Sequence, residues 1–251
     1  MAPHWISRTE LLIGEENLNK LKNSHVLVVG LGGIGGAAAE FLCRAGIGEL
    51  TIVDGDTIEA SNRNRQLVAL ISNENQYKVD IMGERLRDIN PDLKLHIIKE
   101  FLEPERAAEI VNNKFTAIVD CIDSIAPKVE LILSARKHKV FIISSMGAGG
   151  KTDPSAIKIA DISKTTNCNF ASEIKKKLKK RGVTKGVKAV YSEQSISKSS
   201  LKHTDSNKYK KSFYGTISYI PNIFGIYCAH AVINRICNKK PNTKPNLPFN
   251  Q

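Results

Sequence analysis

Short apolar runs alternate with longer amphipathic segments through the first 150 residues of the chain. The runs are rich in Val, Ile and Leu and occupy residues 25–30, 49–54, 94–99, 115–120 and 139–145. Between them, apolar residues recur at helical spacing near residues 35–46, 76–89, 104–113 and 127–138. Strands that are covered on both faces have nearly unbroken apolar sequences. The alternation therefore predicts an α/β fold in which helices flank a mostly parallel sheet.

The two ends of the chain depart from this alternation. Residues 1–24 carry leucines at helical spacing and predict a helical N-terminal arm before a core domain at 25–150. Residues 151–240 are expected to extend the same globular unit, with antiparallel strands that lengthen the sheet. We expect edge strands at 156–163 and 187–193, a basic helix at 170–181, a mobile loop at 194–212, a last helix at about 221–237 and a disordered tail at 241–251.

The chain is strongly basic, with 37 Lys and Arg against 25 Asp and Glu and a net charge of +12, which suggests a polyanionic partner or substrate. The five cysteines form no CxxC pair, which favours a reduced, cytoplasmic protein without structural zinc. The N-terminus lacks the layout of a secretion signal. Pro221, Asn222 and His230 interrupt the last apolar stretch, so we expect a buried or membrane-touching helix and no stable membrane span.

A glycine-rich turn follows the first apolar run. Gly30, Gly32 and Gly35 form the pattern G-x-G-x-x-G after a strand and at the start of a helix. Such glycines allow a tight turn and bring backbone amides close to a phosphate. Asp54 ends the second strand, where its carboxylate can accept hydrogen bonds from a ribose, whereas Asp56 is more typical of a structural turn. The pattern indicates a Rossmann-like nucleotide site that serves NAD and ATP equally.

Cationic residues further along the chain distinguish these two ligands. Arg63, Arg65 and Lys78 all follow the second strand. A triphosphate under nucleophilic attack accumulates negative charge and needs several cations, whereas a hydride-transfer site does not. The sequence therefore favours ATP over NAD.

These motifs together resemble those of a known family. The stretches GLGGIGG, DGDTIEASNRNRQ, INP and DCIDS, together with Lys78, are similar to the E1-like adenylating enzymes, which include ubiquitin-activating E1 and the bacterial activators of sulfur carriers. The likeness covers about residues 7–150. Further stretches, SRTELLIGEENLNKLKNSHVLVVG, NRNRQL, SIAPK and MGAGGKTDP, resemble the subgroup that dehydrates threonylcarbamoyladenosine in tRNA, and this likeness continues to about residue 193.

The resemblance implies a role for each matching residue of the nucleotide site. The implied contacts are Gly30, Gly32, Gly33 and Gly35 with the α-phosphate, Asp54 with the ribose, and Asn62 and Arg65 with the phosphates.

The resemblance also implies catalytic roles for Arg65, Lys78 and Asp123. Lys78 would stabilise charge at the transferred phosphoryl group, and Asp123 would bind the Mg²⁺ that accompanies ATP, because a hard cation prefers carboxylate oxygens. Asp120 is an alternative or additional metal ligand. Arg8 matches an arginine that reaches the ATP of a partner subunit, which implies a homodimer.

The implied reaction has two steps. A substrate carboxylate attacks the α-phosphate of ATP, which gives an acyl-adenylate and pyrophosphate, and a group within the modified nucleoside then closes on the activated carboxyl and expels AMP. No protein nucleophile is needed, because positioning and charge stabilisation carry such transfers. The expected partners are tRNA and a second copy of the chain, with a sulfur-relay protein as a further possibility, in the cytoplasm or at the periphery of the inner membrane.

A basic segment at 175–188 supports a tRNA partner. It contains eight Lys or Arg among fourteen residues and no acidic residue, an arrangement that a nearby polyanion would stabilise. Five lysines of the following region add to this charge: Lys198, Lys202, Lys208, Lys210 and Lys211.

Two other functions remain open at this point. Activation of a ubiquitin-like or sulfur-carrier protein would require an acceptor cysteine, and Cys168 alone lies in a polar stretch. The remaining cysteines are more typical of small core residues. A nucleotide-binding scaffold without chemistry would not require Arg65, Lys78 and Asp123 together.

Overall fold

The computed structural model describes residues 4–196, 201–207 and 210–238. Seven strands form one sheet in the order β3-β2-β1-β4-β5-β7-β6. Every neighbouring pair is parallel except β6 and β7. The predicted α/β fold with a mostly parallel sheet is therefore confirmed. The strands are β1 (His25–Val29), β2 (Glu49–Val53), β3 (Lys94–Ile98), β4 (Ala117–Asp120), β5 (Phe141–Ser145), β6 (Ile157–Asp161) and β7 (Lys188–Ser192).

Helices cover both faces of this sheet. The helices are α1 (Ser7–Ile13), α2 (Glu15–Lys22), α3 (Gly35–Arg44), α4 (Lys78–Ile89), α5 (Pro104–Glu109), α6 (Ile125–Lys137), α7 (Asn169–Lys180) and α8 (Tyr219–Cys237). Val26 and Val28 of β1 pack with α3, α4 and α8, whereas Leu27 and Val29 pack with α5, α6 and α7. Side chains alternate between the two faces of a strand, so the apolar run of β1 serves both cores.

The position of β7 corrects the expectation of two antiparallel edge strands. It lies between β5 and β6 and runs parallel to β5, so only β6 is an edge strand with an antiparallel partner. Ala189, Val190 and Tyr191 of β7 are buried in succession, which requires cover on both faces. The sequence VKAVYSE is as apolar as the other interior strands, and the expectation gave too much weight to its position after Gly150.

Part of the expected loop at 194–212 is a strand pair. Strands β8 (Leu201–Asn207) and β9 (Lys210–Tyr214) form a separate two-stranded antiparallel sheet. Low apolar content suggested a loop, but a hairpin satisfies its backbone groups between its own strands without a large apolar face. The hairpin is joined to the loop after β5, because the Gly150 amide donates to the Gly215 carbonyl at 2.8 Å. Lys198, Lys208 and the tail at 241–251 lie outside the described residues.

The N-terminal arm consists of two helices. α1 and α2 meet at Gly14, whose φ of 81° is a backbone conformation that favours glycine. Leu18 and Leu21 of α2 are buried, whereas Leu11 and Leu12 of α1 are 89% and 84% exposed. The second helix is therefore packed more firmly within the chain than the first, which contacts the core through Ile13.

Helix α8 crosses α3 at a very short distance. A Cβ atom at Gly225 would lie 2.2 Å from the carbonyl oxygen of Ile34 and 2.8 Å from Cβ of Ala37. This contact brings the first turn of α8 to the glycine-rich turn after β1. Within the described residues, no helix is long and apolar enough to cross a membrane.

We predict that Gly225→Ala lowers the free energy of unfolding by about 2 kcal/mol, because the added methyl group meets a backbone carbonyl that cannot move alone. Gly83→Ala in α4 is the matched control, since its Cβ would meet only the flexible end of the Ile97 side chain at 2.6 Å. The gain in helix propensity offsets that contact, and a change within about 1 kcal/mol is expected. Urea denaturation measures both, and equal losses would contradict the crossing geometry.

Candidate nucleotide site

The glycine-rich turn joins β1 to α3 at the carboxyl edge of the sheet. Gly30 has a φ of 84° and faces the carbonyl of Cys121, which follows β4. A Cβ atom at Gly35 would lie 1.6 Å from the carbonyl oxygen of Gly30, so no other residue fits there. The start of α3 is therefore seated directly above the end of β1, where helix amides and the helix dipole favour an anion.

The SNRNRQ loop packs on this turn. A Cβ atom at Gly33 would lie 3.0 Å from the carbonyl oxygen of Arg65 and 2.9 Å from Cβ of Pro221. Gln66 Nε2 lies 3.9 Å from the corresponding position at Gly32. The side chain of Asn222 donates to the Arg65 carbonyl at 3.0 Å, so α8 holds the loop from the other side. Backbone here can approach a ligand because Gly32 and Gly33 carry no side chain.

Asp54 connects the end of β2 to the glycine-rich turn. One carboxylate oxygen accepts a hydrogen bond from the Leu31 amide at 2.5 Å, and the other accepts one from the Asp56 amide at 2.8 Å. Burial raises the pKa of Asp54, while Lys78 and the two amides act in the opposite direction. A carboxylate has about four acceptor positions, so about two remain for ribose hydroxyls.

Lys78 begins α4 and is buried beside Asp54. Its Nζ lies 2.7 Å from Oδ2 of Asp56, and its amide donates to the Asp56 carbonyl at 3.0 Å. Asp56 therefore has the expected structural role, and its carboxylate also pairs with the lysine. The pair holds the ammonium group at the edge of the site. The ion pair is not fully buried, since Asp56 is partly exposed.

Asp123 is exposed in the loop after β4, and its negative charge interacts with the guanidinium group of Arg65. Burial lowers the pKa of the Arg65 guanidinium, and the negative charges of Asp123 and Glu59 act in the opposite direction. Arg65 also donates to the Ser61 carbonyl at 2.9 Å and to Oδ1 of Asn64 at 2.8 Å. The loops after β2 and β4 therefore place a cation and a carboxylate together at the glycine-rich turn.

Three sequence candidates lie elsewhere or are used locally. Asn62 is buried, and its side-chain oxygen accepts from the Glu59 amide at 3.2 Å, so it stabilises the loop. Arg63 pairs with Glu74 at 3.5 Å. Arg8 is exposed on α1. Contact of Asn62 with phosphate and of Arg8 with a partner's ATP stay predictions.

A buried ion pair stands behind the site and went unrecognised in the sequence. Lys128 and Asp120 are both fully buried, and Nζ of Lys128 lies 2.8 Å from Oδ1 of Asp120. Ser144 donates to the other carboxylate oxygen at 2.6 Å. Protein donors therefore surround the Asp120 carboxylate, and its oxygens are not available to a metal beside Asp123. This corrects the expectation that Asp120 is an alternative or additional metal ligand. The feature of the sequence that could have revealed this pair is a lysine on the apolar face of α6.

A second buried lysine lies in the loop after β5. Lys151 is 1% exposed, and its ammonium donates to the backbone carbonyls of Asn167 at 3.2 Å, Ser192 at 3.4 Å and Gln194. Backbone acceptors give no sequence signal, so this role could not be predicted. The lysine joins three segments near the carboxyl edge of the sheet.

All five cysteines are buried or partly buried. Burial raises the pKa of Cys43 to about 12. Contact with Cys228 and burial raise the pKa of Cys121 well above its usual value. Cys168 is buried, and its Sγ accepts from the Ala171 amide at 3.5 Å at the start of α7. This arrangement agrees with a structural role and does not favour a thioester mechanism.

Comparison with known proteins decides the family. Residues 6–251 match the ThiF family. The chain belongs to the ThiF family. The chain is 43% identical over 192 residues to the tRNA threonylcarbamoyladenosine dehydratase of Bacillus subtilis, and this match covers 76% of each chain. It is 36% identical to the Escherichia coli enzyme of the same name, over 75% of this chain and 73% of that one. The predicted E1-like family is confirmed.

Solved structures agree with the ThiF assignment. The crystal structure of Escherichia coli tRNA N6-threonylcarbamoyladenosine dehydratase in complex with ATP superposes with a TM-score of 0.83 at 30% identity, and the match covers 92% of this chain and 93% of that one. The same enzyme in complex with AMP gives a TM-score of 0.82 at 32% identity, over 92% of both chains. The likeness therefore includes the C-terminal part of the ThiF-family chain as well as the glycine-rich turn.

We predict that Lys128→Met lowers the free energy of unfolding by about 3–5 kcal/mol, because it leaves the Asp120 carboxylate buried without a cation. Lys176→Met is the control, since that lysine forms an exposed pair with Glu173 and should leave the unfolding midpoint unchanged. Urea denaturation followed by circular dichroism measures the stability of both variants. Asp120→Asn in the Lys128→Met background should recover part of the loss, and an unaltered midpoint in Lys128→Met would contradict the role.

Proposed function

We propose that this protein is an ATP-dependent adenylating enzyme that dehydrates threonylcarbamoyladenosine in tRNA. The observation that carries the proposal is the convergence of Asp54, Arg65, Lys78 and Asp123 on the glycine-rich turn. The similarity to named dehydratases over three quarters of the chain supports this choice among ThiF-family reactions.

ATP fits the turn in this proposal because each part of the nucleotide meets suitable chemistry. The ribose hydroxyls donate to Asp54, and the α-phosphate meets the amides at the start of α3. Gln66 and Asn222, which contact the turn and the loop, each have a buried side-chain oxygen that has no hydrogen-bond partner among the residues that the structure describes. A bound nucleotide could donate to these oxygens, since buried polar atoms are rarely left unpaired.

The first chemical step in this proposal forms an acyl-adenylate. A carboxylate oxygen of the threonyl group attacks the α-phosphorus, and the bond to the β-phosphate oxygen breaks to release pyrophosphate. Arg65 and Lys78 stabilise the negative charge that develops on the phosphate oxygens. Release of Lys78 from Asp56 would let the ammonium group turn towards the phosphates.

The second step closes a ring within the nucleoside. An atom of the modification attacks the activated carboxyl carbon, and AMP leaves with the oxygen that the carboxylate supplied. The net change is the loss of one water from the nucleoside, at the expense of ATP. The buried cysteines agree with this scheme, because an intramolecular acceptor makes a protein thioester unnecessary.

The proposal also includes Mg²⁺, with Asp123 as its ligand. The Asp123 carboxylate is exposed in the loop after β4 and interacts with the charge of Arg65, and carboxylate oxygens suit a hard cation. The ion would neutralise phosphate charge when bound with ATP. The protein's own part is to hold the carboxylate in the loop that faces the turn.

A homodimer is also proposed. Arg8 lies on α1 beside Leu11 and Leu12, which are 89% and 84% exposed although leucine side chains are usually buried. A partner subunit that covered these leucines would receive Arg8 at the same time. A sulfur-relay partner, a cytoplasmic location and peripheral membrane contact stay predictions.

We predict that Lys78→Ala slows pyrophosphate release by at least about 100-fold, as is usual when one charge-stabilising group is removed. Lys99→Ala is the control, because Lys99 follows β3 and pairs with Asp80 of α4 rather than with Asp54 or Asp56. Mass analysis of tRNA nucleosides after incubation with ATP and Mg²⁺ should show loss of one water with wild type and Lys99→Ala. Unchanged nucleosides together with ATP consumption on a small carrier protein would favour the carrier-activating alternative.

Helix α7 is the proposed tRNA surface. It begins beside Gly147, where an added Cβ atom would lie 3.6 Å from Cβ of Phe170, and it is about 18 Å long. Lys177, Lys179 and Lys180 are exposed and form no ion pair within the part of the chain that the structure describes. Lys176 and Arg181 are paired with acidic residues. Exposed cations in the last turn of α7 suit RNA phosphates, since an RNA bound there would reach along the helix towards its start beside Gly147.

We predict that Lys177→Glu combined with Lys180→Glu weakens tRNA binding at least about tenfold and lowers the slope of log affinity against log salt by about two. The control is Lys22→Glu combined with Arg87→Glu, an equal change of charge on α2 and α4 in the opposite helix layer. Filter binding at several salt concentrations measures both pairs. Equal loss in the two double variants would show only the effect of net charge and would contradict a surface on α7.

A further inference from the structure

A cluster of two histidines and one glutamate lies at the opposite edge of the sheet from the glycine-rich turn. His25 and Glu49 are the first residues of β1 and β2, and they are paired in register. His96 of β3 is paired with Thr51 of β2, so it lies two residues beyond the register partner of Glu49 and on the same face of the sheet. Residues in register point to the same face of a sheet, and the three side chains meet on the face that carries Phe115.

The three side chains converge on one carboxylate oxygen. Oε1 of Glu49 lies 2.8 Å from Nε2 of His96 and 3.5 Å from Nδ1 of His25. The candidate ligand atoms of all three residues lie within 4.8 Å of one another. Ligands at about 2.0–2.1 Å from a tetrahedral Zn²⁺ are separated by about 3.4 Å. The His25 distance matches this value, and half-exposed His96 would need to move by about half an ångström.

We propose that His25, Glu49 and His96 form a binding site for a divalent transition metal, of which Zn²⁺ is the best fit. Two imidazole nitrogens and one carboxylate oxygen are a common set of three protein ligands for this ion, with the fourth position left for water. Imidazole also selects against Mg²⁺ and Ca²⁺, which prefer oxygen ligands. The site is therefore separate from the proposed ATP and Mg²⁺ site.

The surroundings of His25 suit a metal ligand. Its Nε2 lies 2.8 Å from Oγ1 of Thr51, and its ring lies 4.6 Å from the ring of Phe115, so the imidazole is held in one orientation. When Nε2 carries the proton and donates to Thr51, Nδ1 presents its lone pair towards Glu49, which is the arrangement that metal binding requires. Burial is the largest cause that lowers the pKa of His25, and the Glu49 carboxylate acts in the opposite direction.

Lys94 competes with a metal for this site. Its Nζ lies 2.9 Å from the same oxygen of Glu49, and its side chain is 67% exposed. Metal binding displaces this ammonium group into solvent, where it loses only an exposed ion pair. Removal of its charge should therefore strengthen metal binding, whereas a role of the cluster in ion pairing alone predicts no such gain.

The experiment is calorimetric titration of the full chain with ZnCl₂, together with the visible spectrum of the Co²⁺ form. Wild type should bind one ion at this site, and the Co²⁺ spectrum should lack the thiolate charge-transfer bands that binding to the free cysteines would produce. His96→Ala should weaken binding by at least about tenfold. Lys94→Gln should strengthen it several-fold.

His230→Ala on α8 is the control, because that histidine is exposed and α8 packs on the opposite face of the sheet from Phe115. It should leave the affinity unchanged. The proposal is overturned if His96→Ala binds like wild type, or if the Co²⁺ spectrum shows thiolate ligation. Since neither readout involves ATP or tRNA, the result is independent of the proposed enzymatic function.

Discussion

The contact between the carbonyl of Gly30 and the backbone of Gly35 determines where the rest of the site can lie. Because a Cβ atom at Gly35 would be only 1.6 Å from that oxygen, α3 begins closer to the end of β1 than any other residue would allow. The Leu31 amide then reaches Asp54 on the neighbouring strand. Arg65 can cover Gly33 only because that position also lacks a side chain. One steric condition thus places the anion-binding amides, the carboxylate and the guanidinium together.

Charged groups near this turn are stabilised by different means according to their function. Asp120 and Lys128 are fully buried and fully paired, which makes them a rigid support beneath the loop that carries Asp123. Lys78 is also buried, but its partner Asp56 is partly exposed. An ammonium group whose ion-pair partner is partly exposed can change partners at a lower cost than a fully buried pair when a phosphate arrives. Permanent pairs therefore hold the loops, and exchangeable pairs face the ligand.

The sequence predicted those features that depend on local pattern. The five apolar runs located β1 to β5, and the spacing of Gly30, Gly32 and Gly35 located the turn, because strand burial and backbone sterics leave direct traces in the chain. The order of β7 and β6 depends on which edge of the sheet is free, and no local pattern records it. Lys128 and Lys151 were missed for a related reason: a buried lysine is defined by its acceptors, and these come from segments distant in sequence.

The basic helix and the nucleotide site are mechanically connected, although they were inferred from different observations. The Lys128 ammonium group, which pairs with Asp120, lies 5.7 Å from the ring of Phe170 in the first turn of α7. Lys151 ties the loop before that helix to the ends of β7 and the glycine-containing loop after β5. These contacts attach the start of α7 to α6, to the end of β4 and to the loop after β5. Attack on a phosphate depends on the position of the nucleophile. If an RNA binds along α7, Lys128 and Lys151 would therefore help to position its modified nucleoside as well as stabilise the fold.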